Sequence, residues 1–170
     1  MKKKVKEPGN RCEISIPTAE GIFTAHYSET GLAGLDFPKS GRVEPPRGHI
    51  IPAAIRVWHR ATESALKSVL AGKTPKALPP VDLSDGTEFQ QSVWRELQKI
   101  SAGKTKSYGE IAGLIRKTKA VRAVGGACGA NPIPVLIPCH RVLAANGKLG
   151  GFSGVLAWKR KLLAREHVSV

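Results

Sequence analysis

Ile133-Pro-Val-Leu-Ile-Pro-Cys-His-Arg-Val142 sets a cysteine and a histidine side by side between two apolar segments, with Pro138 fixing the backbone just before them. Cysteine is the side chain most readily made nucleophilic near neutral pH, and an adjacent base or positive field lowers its pKa further. The core of the stretch, Pro138-Cys139-His140-Arg141, taken alone reads first as a buried structural thiol, because free cysteine is often simply a small core residue. Its surroundings have to decide.

Downstream, Gly147, Gly150, Gly151 and Gly154 make residues 147–154 a close-packing glycine loop that carries Phe152 and Ser153. A last helix follows from Leu156 to Glu166, apolar at Leu156, Ala157, Leu162 and Leu163 and basic at 159–161 and 165. Upstream, Asn131-Pro132 makes a turn that delivers the chain into a strand bearing Cys139. Thr87 caps a helix with Phe89, Val93, Trp94, Leu97 and Ile100 on one face. Ser107-Tyr-Gly-Glu110 reads as a capping box opening a short helix. A basic turn, Arg116-Lys-Thr-Lys119, leads to a third helix from about Ala120 to Gly129. Two helices joined by a tight turn, the second made of small residues, predict a helix-turn-helix. Glycines cost helix stability, so Gly125, Gly126, Ala127 and Gly129 need a reason. They permit close approach either of another helix or of a nucleic-acid backbone. Arg122 and the basic turn with Lys117 and Lys119 favour nucleic acid.

The N-terminal half reads differently. Residues 12–18, 22–28 and 32–37 predict three short strands, with hairpin turns at Glu20-Gly21 and Thr30-Gly31. A turn-rich connection from Pro38 to Pro52 precedes a helix over Ala53–Leu70, stopped by Gly72. Prolines in 73–85 argue for a linker, which divides the chain into 1–72, 73–86 and 87–170. The net charge is +14, and most of it lies beyond the linker. Residues 1–86 hold 13 Lys and Arg against 9 Asp and Glu, while 87–170 hold 14 against 4. Such an excess concentrates polyanions near the Cys-His pair, with nucleic acid the first candidate and an anionic membrane surface the second. Cys12, Cys128 and Cys139 form an odd set with no CxxC pair, which argues against a disulfide framework and fits a cytosolic or nuclear compartment better. The lysine-rich start has no apolar segment behind it, so it reads as a disordered basic tail rather than a signal peptide or a membrane span.

Taken together, the ordered pieces resemble the O6-alkylguanine-DNA alkyltransferases, suicidal DNA-repair proteins. The matching pieces are Phe89-Gln-Gln-Ser-Val-Trp94, Ser107-Tyr-Gly-Glu110, Arg122-Ala-Val-Gly-Gly126, Asn131-Pro132, Ile137-Pro-Cys-His-Arg-Val142, Gly151-Phe-Ser-Gly154 and Lys159-Arg-Lys-Leu-Leu163 with Glu166. Their order and spacing agree over roughly residues 87–167. The resemblance implies a two-domain α/β protein: an N-terminal antiparallel sheet with a helix, and a mainly helical C-terminal domain bearing the helix-turn-helix.

The resemblance also implies roles. Cys139 corresponds to the alkyl acceptor, His140 to the histidine that takes the thiol proton through a water, and Glu166 to the carboxylate that orients it. Tyr108 resembles the tyrosine that donates to the departing guanine and presses on the 3′ phosphate, and Asn131 the residue tying the turn to the segment around Cys139. Phe152, Ser153, Gly154 and Lys159 would line the base site, with the carbonyls of Cys139 and Val142 accepting from the guanine amine. Phe152 stands where many relatives have tyrosine. Arg122 resembles the finger that fills the place of a flipped base. Ala123, Gly125, Gly126, Ala127 and Gly129 would lie in the minor groove, with Lys117, Lys119 and Arg141 as further DNA contacts. The expected partner is double-stranded DNA carrying O6-alkylguanine or, less efficiently, O4-alkylthymine, met by a cytoplasmic or nuclear monomer away from membranes. No cofactor is implied. No zinc is expected either, since Cys12, His26, His49 and His59 have no compact spacing. Two rivals stand beside this reading: a sensor that binds alkylated DNA without chemistry, and a cysteine hydrolase with a Cys-His-Glu arrangement.

Overall fold

Strand β1 (Cys12–Thr18), β2 (Gly21–Tyr27) and β3 (Leu32–Asp36) form an antiparallel sheet in the order β1-β2-β3. A computed structural model describes residues 11–39, 51–150 and 156–170. The lysine-rich start, most of the connection expected over 38–52, His49, and the site candidates Phe152, Ser153 and Gly154 lie outside the described residues. In β2 the alternation is clean: Phe23, Ala25 and Tyr27 are buried while their neighbours are more exposed. Helix α1 (Ala53–Leu70) covers that face through Ile55, Thr62, Ala65, Leu66, Val69 and Leu70. Each large apolar side chain so buried contributes roughly 1.5–3 kcal/mol. The Tyr27 hydroxyl, which would be costly to bury alone, donates to Thr62 Oγ1 at 2.9 Å and lies 3.1 Å from His59 Nδ1. Gly72 ends the helix with φ +72°, and a Cβ there would stand 2.1 Å from the Arg165 carbonyl oxygen. Only glycine fits on both counts.

The proline-rich connection is docked along the edge of β3. Leu32 N–H donates to the Pro80 carbonyl and Asp82 N–H to the Leu32 carbonyl, both at 2.8 Å. Further along the same edge, Leu35 N–H donates to the Pro132 carbonyl at 2.9 Å. Thus the exposed edge of the sheet is used to hold the C-terminal half, at the turn that precedes Cys139.

Helix α2 (Glu88–Leu97), α3 (Tyr108–Leu114) and α4 (Val121–Gly129) pack on one another. Both expected capping boxes form, Thr87 with Gln90 and Ser107 with Glu110. Trp94 Nε1 donates to the Ala127 carbonyl at 2.8 Å, which pins α2 to α4. Cys139 does not sit on a strand as expected. Cys139–Arg141 form one 3-10 turn, with Arg141 N–H donating to the Pro138 carbonyl at 3.0 Å, and only then does β5 (Val142–Leu143) pair in parallel with β4 (Lys106–Ser107). Helix α5 (Leu156–Arg165) closes the core with Leu162 and Leu163.

Candidate functional site

The 3-10 turn explains how adjacent residues serve one site. Cys139 and His140 are both buried, 4% and 3% exposed, and both line a cavity of about 1020 Å³. Asn131 shapes the approach: its Nδ2 donates to the Ile137 carbonyl at 2.8 Å, and its Oδ1 accepts from Ile133 N–H at 3.0 Å. Between them Val135 is held at φ +74°, buried, a conformation that costs a β-branched residue on the order of 1–3 kcal/mol. The two Asn131 bonds brace that turn.

Burial pushes the Cys139 thiol up, opposed by the Asn131 side chain, the positive charge of Lys159 and the N–H groups of Cys139 and His140. The resting group is a thiol. Its activation therefore has to be coupled to a base. His140 has the right state. Burial lowers its pKa more than Glu166 raises it, so the ring is neutral at neutral pH. Its Nε2 lies 3.0 Å from Glu166 Oε1, whereas Nδ1 is buried with no hydrogen-bond partner among the described residues. A carboxylate only accepts, so Nε2 carries the proton and Nδ1 presents a lone pair.

Glu166 is itself held by several donors. Burial raises its pKa, but hydrogen bonds and charge from His140 and Arg141 win and bring it down to about 2. Arg141 Nε and Nη2 donate to it at 3.0 and 2.9 Å, Gly103 N–H donates at 3.1 Å, and Arg141 Nη1 donates to the Ile100 carbonyl. This corrects the expectation that Arg141 contacts DNA. The side chain is only 4% exposed, and its guanidinium is spent inside the protein.

Tyr108 opens α3 and lines the cavity. Burial, then the neighbouring Cys128 and Cys139, push its pKa up to about 12, so the phenol stays a donor at neutral pH. Lys159 is 2% exposed and donates to the carbonyls of Val142 at 2.6 Å and Leu149 at 2.8 Å. The Val142 carbonyl, expected to accept from a base, is thus already engaged through one lone pair. Sequence reasoning missed this clamp, because nothing local marks a buried lysine as a strap for two distant backbone segments.

On α4 the structure separates the small residues into two sets. Arg122, Ala123, Gly126 and Gly129 are exposed, and a Cβ on Gly126 or Gly129 would meet nothing within 4 Å. Internal packing therefore does not require those glycines. Gly125 is half-exposed beside Tyr108. Ala127 belongs to the other set: it is 2% exposed and buried under Trp94, which corrects its assignment to a DNA-facing surface. Lys117 and Lys119 are exposed on the turn before α4, and Arg122 lies at the cavity. Leu35, Asp36, Phe37 and Trp158 line the cavity as well, a contribution from the sheet and α5 that sequence spacing does not reveal. Among the described residues no cluster of three or more His, Cys, Asp or Glu is placed to hold a metal ion, and no helix is long and apolar enough to cross a membrane.

Known proteins share both the site segment and the fold. The family model of the 6-O-methylguanine DNA methyltransferase DNA-binding domain matches residues 88–168. The methylated-DNA–protein-cysteine methyltransferase of Methanosarcina acetivorans is 40% identical over 139 residues, covering 81% of this chain and 86% of that protein. Its counterpart in Haemophilus influenzae is 51% identical over 84 residues, 49% of this chain, and that match spans about half of the relative's length, 47%. The Mycobacterium tuberculosis protein OGT, in a crystal structure with DNA, superposes with a TM-score of 0.69 at 36% identity, covering 89% of this chain and 90% of that one.

Proposed function

The chain belongs to the methylated-DNA–protein-cysteine methyltransferases, and from that premise we propose that it repairs O6-alkylguanine in DNA by moving the alkyl group irreversibly onto Cys139. The observation that carries the residue assignment is the chain Cys139–His140–Glu166, in which a buried thiol adjoins a neutral imidazole with its proton fixed on the Glu166 side. His140 Nδ1 takes the thiol proton, through a bridging water as in the family, and Glu166 stabilises the imidazolium as it forms. The thiolate attacks the alkyl carbon in line with O6. The S–C bond forms, the C–O6 bond breaks, and the electron pair passes to the guanine ring, which takes a proton at N1 from water and leaves neutral, while His140 returns its proton to the solvent. Tyr108, a persistent donor, hydrogen-bonds the purine as charge develops on it. Asn131 and Lys159 hold the backbone around the thiol in place. The thioether does not revert, so each molecule acts once.

DNA is the macromolecular partner, as for the tuberculosis protein described with it. We infer that one molecule meets duplex DNA through the exposed α4 face, with Gly126 and Gly129 allowing the helix close to the minor-groove floor. Lys117 and Lys119 flank that face as phosphate contacts. Minor-groove entry suits repair, since that groove discriminates sequence poorly. The cysteines that remain free, Cys12, Cys128 and Cys139, suit a reducing compartment.

The direct test is intact mass after incubation with an oligonucleotide holding one O6-methylguanine, followed by peptide mapping. The expected result is a single gain of about 14 Da, one methylene, on Cys139 with one lesion repaired per protein. Substrate consumed many times without an adduct points instead to a hydrolase. Binding without modification points to a sensor.

Arg122 gives a second prediction. A stacked base cannot reach a buried thiol, and extrusion costs a few kcal/mol. The Arg122→Ala variant should repair duplex DNA at least roughly tenfold more slowly, a loss of about 1.4 kcal/mol, while its reaction with free O6-benzylguanine holds. Equal losses on both substrates in single-turnover assays remove Arg122 from the flipping step.

A further inference from the structure

We propose that Cys128 is a resolving thiol for the alkyl acceptor: when a hydroperoxide oxidises Cys139, Cys128 closes a disulfide with it, and thiol reductants reopen that bond. The proposal rests on the alkyl-transfer reading and adds a modification of the same site. A protein that spends one sulfur per lesion gains from keeping that sulfur recoverable while it waits. Alkyl transfer itself leaves Cys128 without a use.

The two thiols are built as a pair. Cys128 and Cys139 are both free, both buried at 1% and 4% exposure, and both line one cavity. Asn131 fastens their two segments together. Its N–H donates to the Cys128 carbonyl at 3.4 Å, and its Nδ2 donates to the Ile137 carbonyl at 2.8 Å. That same Ile137 carbonyl accepts from Cys139 N–H at 2.8 Å. The carrier of Cys128 is pinned as well, since Trp94 Nε1 donates to the carbonyl of Ala127, one residue before it. Lys159 faces the pair: its charge acts on both thiols while its Nζ is held by the Val142 and Leu149 carbonyls. Cys12 lies on β1 and does not line this cavity.

His140 takes the Cys139 proton as it does for alkyl transfer, and the thiolate attacks the O–O bond of the peroxide instead of an alkyl carbon. Cys139–SH and ROOH give Cys139–SOH and ROH: the sulfur is oxidised, the peroxide is reduced, and the proton ends on the departing oxygen. The sulfenic acid is neutral, so the charge on Cys139 that helps hold Cys128 protonated is gone, whereas Lys159 remains. Cys128 then attacks the Cys139 sulfur. The S–S bond forms, the S–OH bond breaks, and the hydroxide leaves as water with the Cys128 proton. A thiol fixed in the same cavity outruns a second peroxide arriving from solution, which would carry Cys139 on to irreversible sulfinic acid. Two equivalents of an external thiol reduce the disulfide and return both cysteines.

The test treats the whole protein, free of DNA, with hydrogen peroxide, alkylates the remaining thiols and maps the peptides by mass. Cys12, half-exposed, reports on its own peptide that the oxidant has acted. The expected result is a peptide pair joining Cys128 to Cys139, about 2 Da lighter than its two halves. Methyl uptake from O6-methylguanine DNA is lost with it and returns after dithiothreitol. In the Cys128→Ala variant the Cys139 peptide should instead gain about 32 Da, and dithiothreitol should restore no uptake. Cys128→Ser repeats the comparison with a closer match in size, and the wild-type peptides decide even if neither variant folds. Sulfinic acid at wild-type Cys139 with Cys128 still open to alkylation overturns the proposal. So does a Cys139 left untouched when Cys12 is oxidised, or equal recovery in wild type and variants. An untreated wild type that takes up no methyl group overturns the transfer reading, and because the linked peptide is read without DNA the two failures are told apart.

Discussion

With alanine at position 139, transfer to the protein is expected to vanish, a loss of more than roughly 10⁴ in rate, even though a second thiol remains at the same cavity. Cys128 lines that cavity and is 1% exposed. Burial and the neighbouring Cys139 push it up to about 12, against which only the charge of Lys159 acts. In the variant the contribution of Cys139 is gone but burial, the larger cause, remains, so the Cys128 thiol stays protonated at neutral pH. Cys139 is raised by burial too, but it has what Cys128 lacks: the Asn131 hydrogen bond, the N–H groups of the 3-10 turn, and His140 next to it in the chain. Preorganisation separates the two sulfurs, since both are buried and both would be sluggish nucleophiles left alone. Intact mass of the Cys139→Ala variant after incubation with methylated DNA should show no adduct, and fluorescence anisotropy should show lesion DNA still bound within a few-fold. An adduct on Cys128 in this variant contradicts the selectivity argued here.

The same contrast shows what a linear sequence conveys. Periodicity and capping residues located nearly every helix and strand, because α2 and α3 are specified by local groups: Thr87 with Gln90, Ser107 with Glu110, and the apolar faces beside them. The Cys-His pair was legible for the same reason. The fate of Arg141 was not. An arginine beside a histidine in a basic segment reads as a DNA contact until Glu166, distant in sequence, is seen to accept from it. Ala127 and Gly126 look alike in the sequence, and only the position of Trp94 shows that one is packed inward while the other is open. The prolines of 73–85 read as a linker, and nothing in their pattern shows that the Pro80 carbonyl and the Asp82 N–H bond to Leu32 along the edge of β3. Phe37 and Trp158 join one wall through a contact between opposite ends of the chain, which no local pattern encodes. Even the turn at Cys139 is set from outside, by Asn131 across a strained Val135.

Glu166 sits where stability and chemistry meet, and the Glu166→Gln variant should lose both. The carboxylate accepts from His140 Nε2, from Arg141 Nε and Nη2, and from Gly103 N–H. Glutamine keeps the shape but turns one oxygen into a donor that faces donors, and it leaves the Arg141 charge buried without a counter-ion. Breaking such a pair costs about 3–5 kcal/mol, which urea denaturation at pH 7 should register as a lower midpoint. The pH dependence identifies the cause. Glu166 in the folded protein titrates at about 2, below its ordinary 4.5. Its stabilising effect is therefore complete above the unfolded value and is lost as pH falls from there through about 2. That effect is on the order of 3 kcal/mol, so the gap between wild type and variant should be wide at pH 7 and shrink below about pH 4. A gap that is the same at both pH values means that the charge is irrelevant and only shape was lost. The transfer rate supplies the second readout. Without the carboxylate, His140 loses the partner that fixes its tautomer and that raises its pKa against burial. It becomes a weaker base, and the rate at neutral pH should fall by roughly 10²-fold. Partial rescue of that rate as pH rises, when the thiol sheds its proton without help, distinguishes a lost base from a collapsed site.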